Sequence, residues 1–211
     1  MTTGTQPSQE SPRAGAKRRQ IRDAARQVLV EEGFEAASMD DIAAAASVSK
    51  RTLYKYYPGK EALLTGLIYD LSLGRDADVQ AGAGKLTFES PAELEAFLFR
   101  VACSIVDNHF QPEYLALVRS VIAAAPRYPD LTQRFSDIII EPGYRFLTAI
   151  FERARTSGVI STSNTDAVVR LFMGSLLFYT YTYGLMAVGE PRKPSRQQIA
   201  EQVRLLVAAI T

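Results

Sequence analysis

The chain has 211 residues, 47% of them apolar and 22% charged, which is ordinary globular usage and excludes both wholesale disorder and a fibrous repeat. One cysteine, Cys103, rules out an intramolecular disulfide, and with the lone His109 it leaves no ligand cluster for zinc, so neither metal nor cofactor is expected. The formal charge of +1 conceals an asymmetry: through Lys60 there are ten Lys/Arg against seven Asp/Glu, and beyond it fourteen against sixteen.

The opening "MTTGTQPSQESPRAGAKRR" has no apolar segment of a targeting signal and reads as a polar, disordered tail over residues 1–14. A single cysteine and no such signal fit a reducing cytoplasm. From Ala16 to Glu32 the residues Ile21, Ala24, Ala25, Val28 and Leu29 recur at helical spacing, and Gly33 stops the pattern. In "SMDDIAAAA", Ser38 is placed to cap a second helix from Met39 to Ala46, with Asp40 and Asp41 in the first turn, where they favour the positive end of the helix dipole. A third helix spans Lys50 to Tyr56. Pro58 ends it, and a fourth runs from Gly59 to about Gln80.

"AGAGK", Ala81 to Lys85, reads as a loop. Further helices are expected at Pro91–Asn108, Pro112–Ala124, Asp130–Ile140, Pro142–Ser157, Thr165–Val188 and Ser195–Ile210, with Pro142 breaking an otherwise long helix. Leu171 to Gly189 carries no charge and approaches the ~20 residues of a membrane span. Hydroxyls scattered along its length mark it instead as a helix buried in protein. No stretch alternates with period two, so the fold class is all-α.

The second and third helices, joined by a short turn, outline a helix-turn-helix. Ala43 lets the two cross closely, while Ile42, Val48 and Leu53 seal the small core between them. The opposite face of the third helix carries Ser49, Lys50, Arg51, Thr52, Tyr54, Lys55 and Tyr56, a set that supplies charge for phosphates and donors for base edges. Ser47 stands at the turn position where helix-turn-helix units often carry glycine, which reaches positive φ without a Cβ penalty.

Arg18 to Leu64, "RRQIRDAARQVLVEEGFEAASMDDIAAAASVSKRTLYKYYPGKEALL", resembles the DNA-binding domain of the TetR (tetracycline-repressor-like) transcriptional regulators almost throughout. The resemblance implies a recognition helix that places Lys50, Arg51 and Lys55 near bases. It implies phosphate or packing roles for Thr52, Tyr54, Tyr56 and Tyr57, with Tyr57 leaning to packing. Ser38, doubling as a helix cap, and Lys60 would meet phosphates. Arg18 and Arg22 would add backbone or minor-groove contacts, a plain solvated face being the alternative. So small a reader needs two copies on one duplex, hence a homodimer on a pseudo-palindromic double-stranded operator.

The same resemblance implies a domain over 15–58 that reads DNA and one over 59–211 that senses an effector and dimerises, the fourth helix acting as lever. The last two helices would build a four-helix bundle with the partner through Val168, Leu171, Ser175, Leu176 and Tyr183 on one helix and Ile199, Val203, Leu206 and Ile210 on the other. An intrachain core is the alternative for these stripes. A pocket for an apolar or aromatic effector would draw on Phe99, Cys103, Val106, Leu117 and Val121, then Phe135, Ile139, Tyr144 and Leu147, and finally Phe178 and Tyr179. Hydrogen bonds would come from a tyrosine or from Asn108 and His109, although His109 near a helix end also reads as a capping or surface residue. No nucleophile with a base, metal cluster or phosphate loop is present to make an enzyme. A non-specific DNA-coating protein and a regulator answering to a protein partner remain the competing readings.

Overall fold

A computed structural model describes residues 11–71 and 87–211. The loop expected at Ala81–Lys85, the far end of the fourth helix and most of the tail lie outside the described residues. The chain divides into two compact units, the first ending at Leu64 and the second running from Thr65 to Thr211. Every element among the described residues is helical.

In the first unit, α1 (Pro12–Ala36) starts earlier than the apolar rhythm suggests, because Ser11 accepts the Ala14 N–H at 3.4 Å and Pro12 suits a first turn. Gly33, at φ 80°, interrupts it where the pattern stops. α2 (Met39–Ala45) opens with a reciprocal cap in which the Ser38 hydroxyl accepts the Asp41 N–H at 3.2 Å and the Asp41 carboxylate accepts the Ser38 N–H at 3.1 Å. α3 (Lys50–Tyr56) is capped by Ser49, and α4 (Lys60–Leu71) follows Pro58. Ile21, Leu29, Phe34, Ile42, Leu53 and Leu64 fill the interior of this unit.

The turn between α2 and α3 holds Ser47 at φ 48°, the left-handed geometry anticipated for this position. Bonds on both sides impose it: Ser47 N–H to Ala44 O and Val48 N–H to Ala43 O, each 3.0 Å. Gln20 of α1 then donates to Ala46 O at 2.7 Å, tying the turn to the first helix.

The second unit is built around α5 (Pro91–His109), whose Leu94, Leu98, Ala102, Ile105 and Val106 are buried. α6 (Pro112–Ala124) and α7 (Pro129–Phe135) follow, then a π-helical turn at Ser136–Ile140 that passes directly into α8 (Glu141–Thr156). Pro142 therefore does not break the helix. A proline lacks the N–H and crowds the carbonyl four residues back, and the wider π turn just before it accommodates both defects within one continuous run.

α9 (Thr165–Tyr179) likewise passes into a π turn, Thr180–Leu185, and α10 (Arg196–Ile210) closes the chain behind a Ser195–Gln198 capping box. Phe151 of α8 meets Phe172 of α9 edge-on at 6.3 Å inside one apolar cluster shared by α5, α8, α9 and α10. Burying a ring of that size contributes about 2–3 kcal/mol. No helix among the described residues is long and apolar enough to cross a membrane.

Candidate nucleic-acid interface and ligand cavity

On α3, the expected outward face is what the first unit presents. Ser49, Lys50, Arg51, Tyr54 and Lys55 are exposed, Thr52 and Tyr56 half-buried, and Leu53 points to the core. Ser49 accepts the Thr52 N–H at 3.1 Å while their hydroxyls pair at 2.9 Å, so the cap also orders two polar groups of this face. Arg51 and Lys55 have no partner among the described residues. Lys50 pairs with Asp40 at 2.6 Å, both side chains well exposed, an ion pair worth at most about 1 kcal/mol and easily exchanged for a phosphate. The Arg18 guanidinium lies over the Tyr56 ring at 5.8 Å, and Arg22, also on α1, is half-buried. Tyr57 is buried, in line with a packing role.

Lys60 departs from its expected part. Its ammonium donates to Phe34 O at 2.6 Å, Ala37 O at 3.1 Å and Glu35 O at 3.3 Å, and sits 4.5 Å from the Phe34 ring centre. An ammonium has three donors, and all three are engaged within the unit. Lys60 fastens the chain after Gly33 rather than reaching for a phosphate. The Ser38 hydroxyl is similarly engaged, since it also donates to the Asp41 carboxylate; that bond is the main reason the Asp41 carboxyl is held below its usual range.

The second unit holds a partly open cavity of about 860 Å³. Its walls come from Tyr69 of α4, from α5 and α6, from the end of α7, from both π turns and from α8 and α9. Phe135, Ile139 and Tyr144 line it as expected. Cys103, Val106, Leu117, Val121 and Leu147 are instead packed in the core, while Phe99, Phe178 and Tyr179 also stand outside the lining. Val118, Phe146, Met173 and Leu177 take their place. Helical spacing marks a face as apolar but does not separate residues touching one another from residues touching a void.

His109, near the end of α5, is buried at the cavity wall and is neither a surface nor a capping residue. Its ring stacks on that of Tyr114, centroids 4.6 Å apart, and its Nδ1 lies 3.3 Å from the Thr180 hydroxyl. Burial depresses the imidazole to about 4 and raises the Tyr114 hydroxyl, so both groups are neutral near pH 7. Tyr144, by contrast, donates its hydroxyl to Asp166, which also holds Arg170 at 2.8 Å.

Two regions of the chain match known sequence profiles. Residues 21–67 match that of the bacterial regulatory proteins of the tetR family, and residues 96–210 that of the C-terminal domain of AefR-like transcriptional repressors. The chain belongs to the TetR family of transcriptional regulators. It is thus a helix-turn-helix DNA-binding protein and not an enzyme. The HTH-type transcriptional regulator UidR of Escherichia coli K12 is 28% identical over 198 residues, 92% of each chain. Among solved structures, the flavonoid-responsive regulator FrrA is 27% identical with a TM-score of 0.64, covering 93% of this chain and 97% of that one. A TetR-family regulator from Mesorhizobium loti superposes with a TM-score of 0.72 at 22% identity, covering 94% and 96%.

In this TetR-family chain, much of the expected dimer stripe is used internally. Val168, Leu176, Ile199, Val203 and Ile210 are buried in the apolar cluster of their own unit, and Ser175, Tyr183 and Leu206 are half-buried. Only Leu171 stands out, 63% exposed. Other large apolar side chains are exposed as well, among them Phe178 at 62% and Leu177 at 45% on α9 and Leu205 on α10 at 58%. Each helix is apolar on two sides, and the sequence stripe with the larger aliphatic residues is the inward one.

Proposed function

We propose that this TetR-family regulator is a homodimeric repressor that leaves a pseudo-palindromic operator when an apolar or aromatic small molecule fills the cavity of its second unit. The cavity carries this reading: a partly open space of about 860 Å³, walled largely by apolar and aromatic side chains, matches the size and character of small-molecule sites. Residues 15–58 read DNA, with Arg51 and Lys55, unpaired among the described residues, on the reading face, Lys50 joining when Asp40 yields it, and Ser49, Thr52, Tyr54 and Tyr56 at phosphates. Ser38, Arg18 and Arg22 border that face. Residues 59–211 sense and dimerise, the partner covering Leu171, Phe178 and Leu205. The likeness to FrrA, described as flavonoid-responsive, supports an aromatic effector.

α4 offers the coupling. Its Lys60 anchors the chain behind α1, and its Tyr69 lines the cavity. A ligand that favours one setting of this helix shifts operator affinity by its differential affinity for that setting and no more.

Duplexes selected from a random pool, followed by anisotropy titrations of the chosen duplex, test the proposal. Operator affinity should fall steeply with salt as counterions are released, and should fall again when naphthalene is added as an apolar aromatic probe. Equal affinity for random duplex supports a coating protein instead, and unchanged operator affinity at saturating probe removes the sensing role.

A further inference from the structure

The cavity is apolar except for a few groups, and their hydrogen bonds discriminate between ligands. Thr180 donates its hydroxyl proton to Leu176 O at 3.2 Å within its own helix. The arrangement that satisfies both contacts has its oxygen accept from His109 Nδ1, 3.3 Å away, which assigns the proton of the neutral imidazole to that nitrogen. Nε2 is left as a bare acceptor, and neither it nor the Tyr114 hydroxyl has a hydrogen-bond partner among the described residues. Both side chains line the cavity.

We propose that the cavity recognises a neutral, planar hydroxyaromatic compound whose hydroxyl donates a hydrogen bond to His109 Nε2, held as an acceptor by the Thr180–Leu176 relay. The inference rests on the sensing role proposed above and names the ligand class for it. An acceptor facing an apolar cavity favours a ligand with a donor at that point over its bare hydrocarbon. Flat rings suit walls supplied by Phe135, Phe146, Met173 and the His109–Tyr114 stack. A carboxylate brings no proton for Nε2, and its cationic partner would have to be Arg145, which is exposed, because Arg170 is already paired with Asp166.

Three probes of one ring system separate the possibilities: naphthalene, β-naphthol and β-naphthoate, titrated calorimetrically into the full chain. β-Naphthol is expected to bind about tenfold tighter than naphthalene, the worth of one buried hydrogen bond. In His109→Phe, which keeps a flat ring against Tyr114, the two should bind alike. Thr180→Val, which frees the tautomer with little change of volume, should narrow the gap. Because the chain has a single histidine, nitrogen NMR reads its ring without ambiguity. An unprotonated Nε2 whose resonance moves with β-naphthol and not with naphthalene is expected, even if His109→Phe fails to fold. Equal affinity of naphthol and naphthalene overturns the hydroxyl recognition while leaving an aromatic sensor intact. Tightest binding of β-naphthoate moves recognition to Arg145, and an Nε2-protonated ring sinks the relay. Binding of none of the three removes the sensing role along with this inference.

Discussion

The His109 imidazole lies face to face with the Tyr114 ring, centroids 4.6 Å apart and planes 9° from parallel. Burial alone depresses its pKa, from 6.5 to about 4. An unfolded chain therefore binds a proton between these values that the folded chain refuses. Stability from this group is complete above pH 6.5 and is lost as pH falls through the window to about 4, a loss of about 3 kcal/mol. Denaturant midpoints of the wild type and His109→Phe, compared across that window, should converge or cross as pH falls; parallel curves refute the assignment.

Lys60 supplies the second test. Lys60→Met keeps the stem length and removes three bonds to the Phe34, Glu35 and Ala37 carbonyls. Those carbonyls lose a charged donor, and about 2–3 kcal/mol of stability in the first unit should go with it. Operator preference measured on the folded fraction should be unchanged, since no donor of Lys60 is available to a phosphate. A lower salt slope with unaltered stability would restore the phosphate role.

Much of this was legible in the sequence, and the failures share a cause. The cap at Ser38, the stop at Gly33 and the left-handed Ser47 follow from local chemistry within four residues. Lys60 and Phe34 are 26 apart in sequence, and nothing local tells a lysine that finds carbonyls from one that finds solvent. Periodicity marked the apolar residues of α9 without telling its inward side from its outward one, because Val168 and Leu176 lie as regularly as Leu171 and Phe178. The π turns escaped because one extra residue hardly disturbs an apolar rhythm, yet they set the cavity wall at Ile138 to Ile140 and at Thr180 and Leu185.

Ser47 holds φ 48° with a Cβ. Left-handed backbone costs a non-glycine residue about 1 kcal/mol, partly offset by the greater freedom glycine has when unfolded. Ser47→Gly should raise stability by up to about 1 kcal/mol without altering the duplex chosen. A loss of stability would mean that the serine makes a compensating contact.

Arg51 has no partner among the described residues, whereas Lys50 has Asp40. Arg51→Ala should therefore cost about 1–3 kcal/mol on the selected operator and relax preference at one position in each half-site. Asp40→Asn frees Lys50 and should instead tighten binding to all duplexes alike, steepening the salt dependence. An Arg51→Ala protein that selects an unchanged operator removes base reading from this residue.

Leu171 and Phe178 are seven residues apart on α9 and both more than half exposed, so they share a face that the described residues leave open. Leu171→Glu with Phe178→Glu puts two like charges on that face and should leave each subunit folded, because neither side chain fills the core. Sedimentation should then show monomers, and operator affinity should collapse, since a single reading head retains only one half-site. Val168→Glu makes the contrast: at 3% exposure it buries a carboxylate in the apolar cluster, and loss of fold, read by circular dichroism, should precede any change in assembly. A double variant that remains dimeric and still binds its operator would place the subunit junction elsewhere on the second unit.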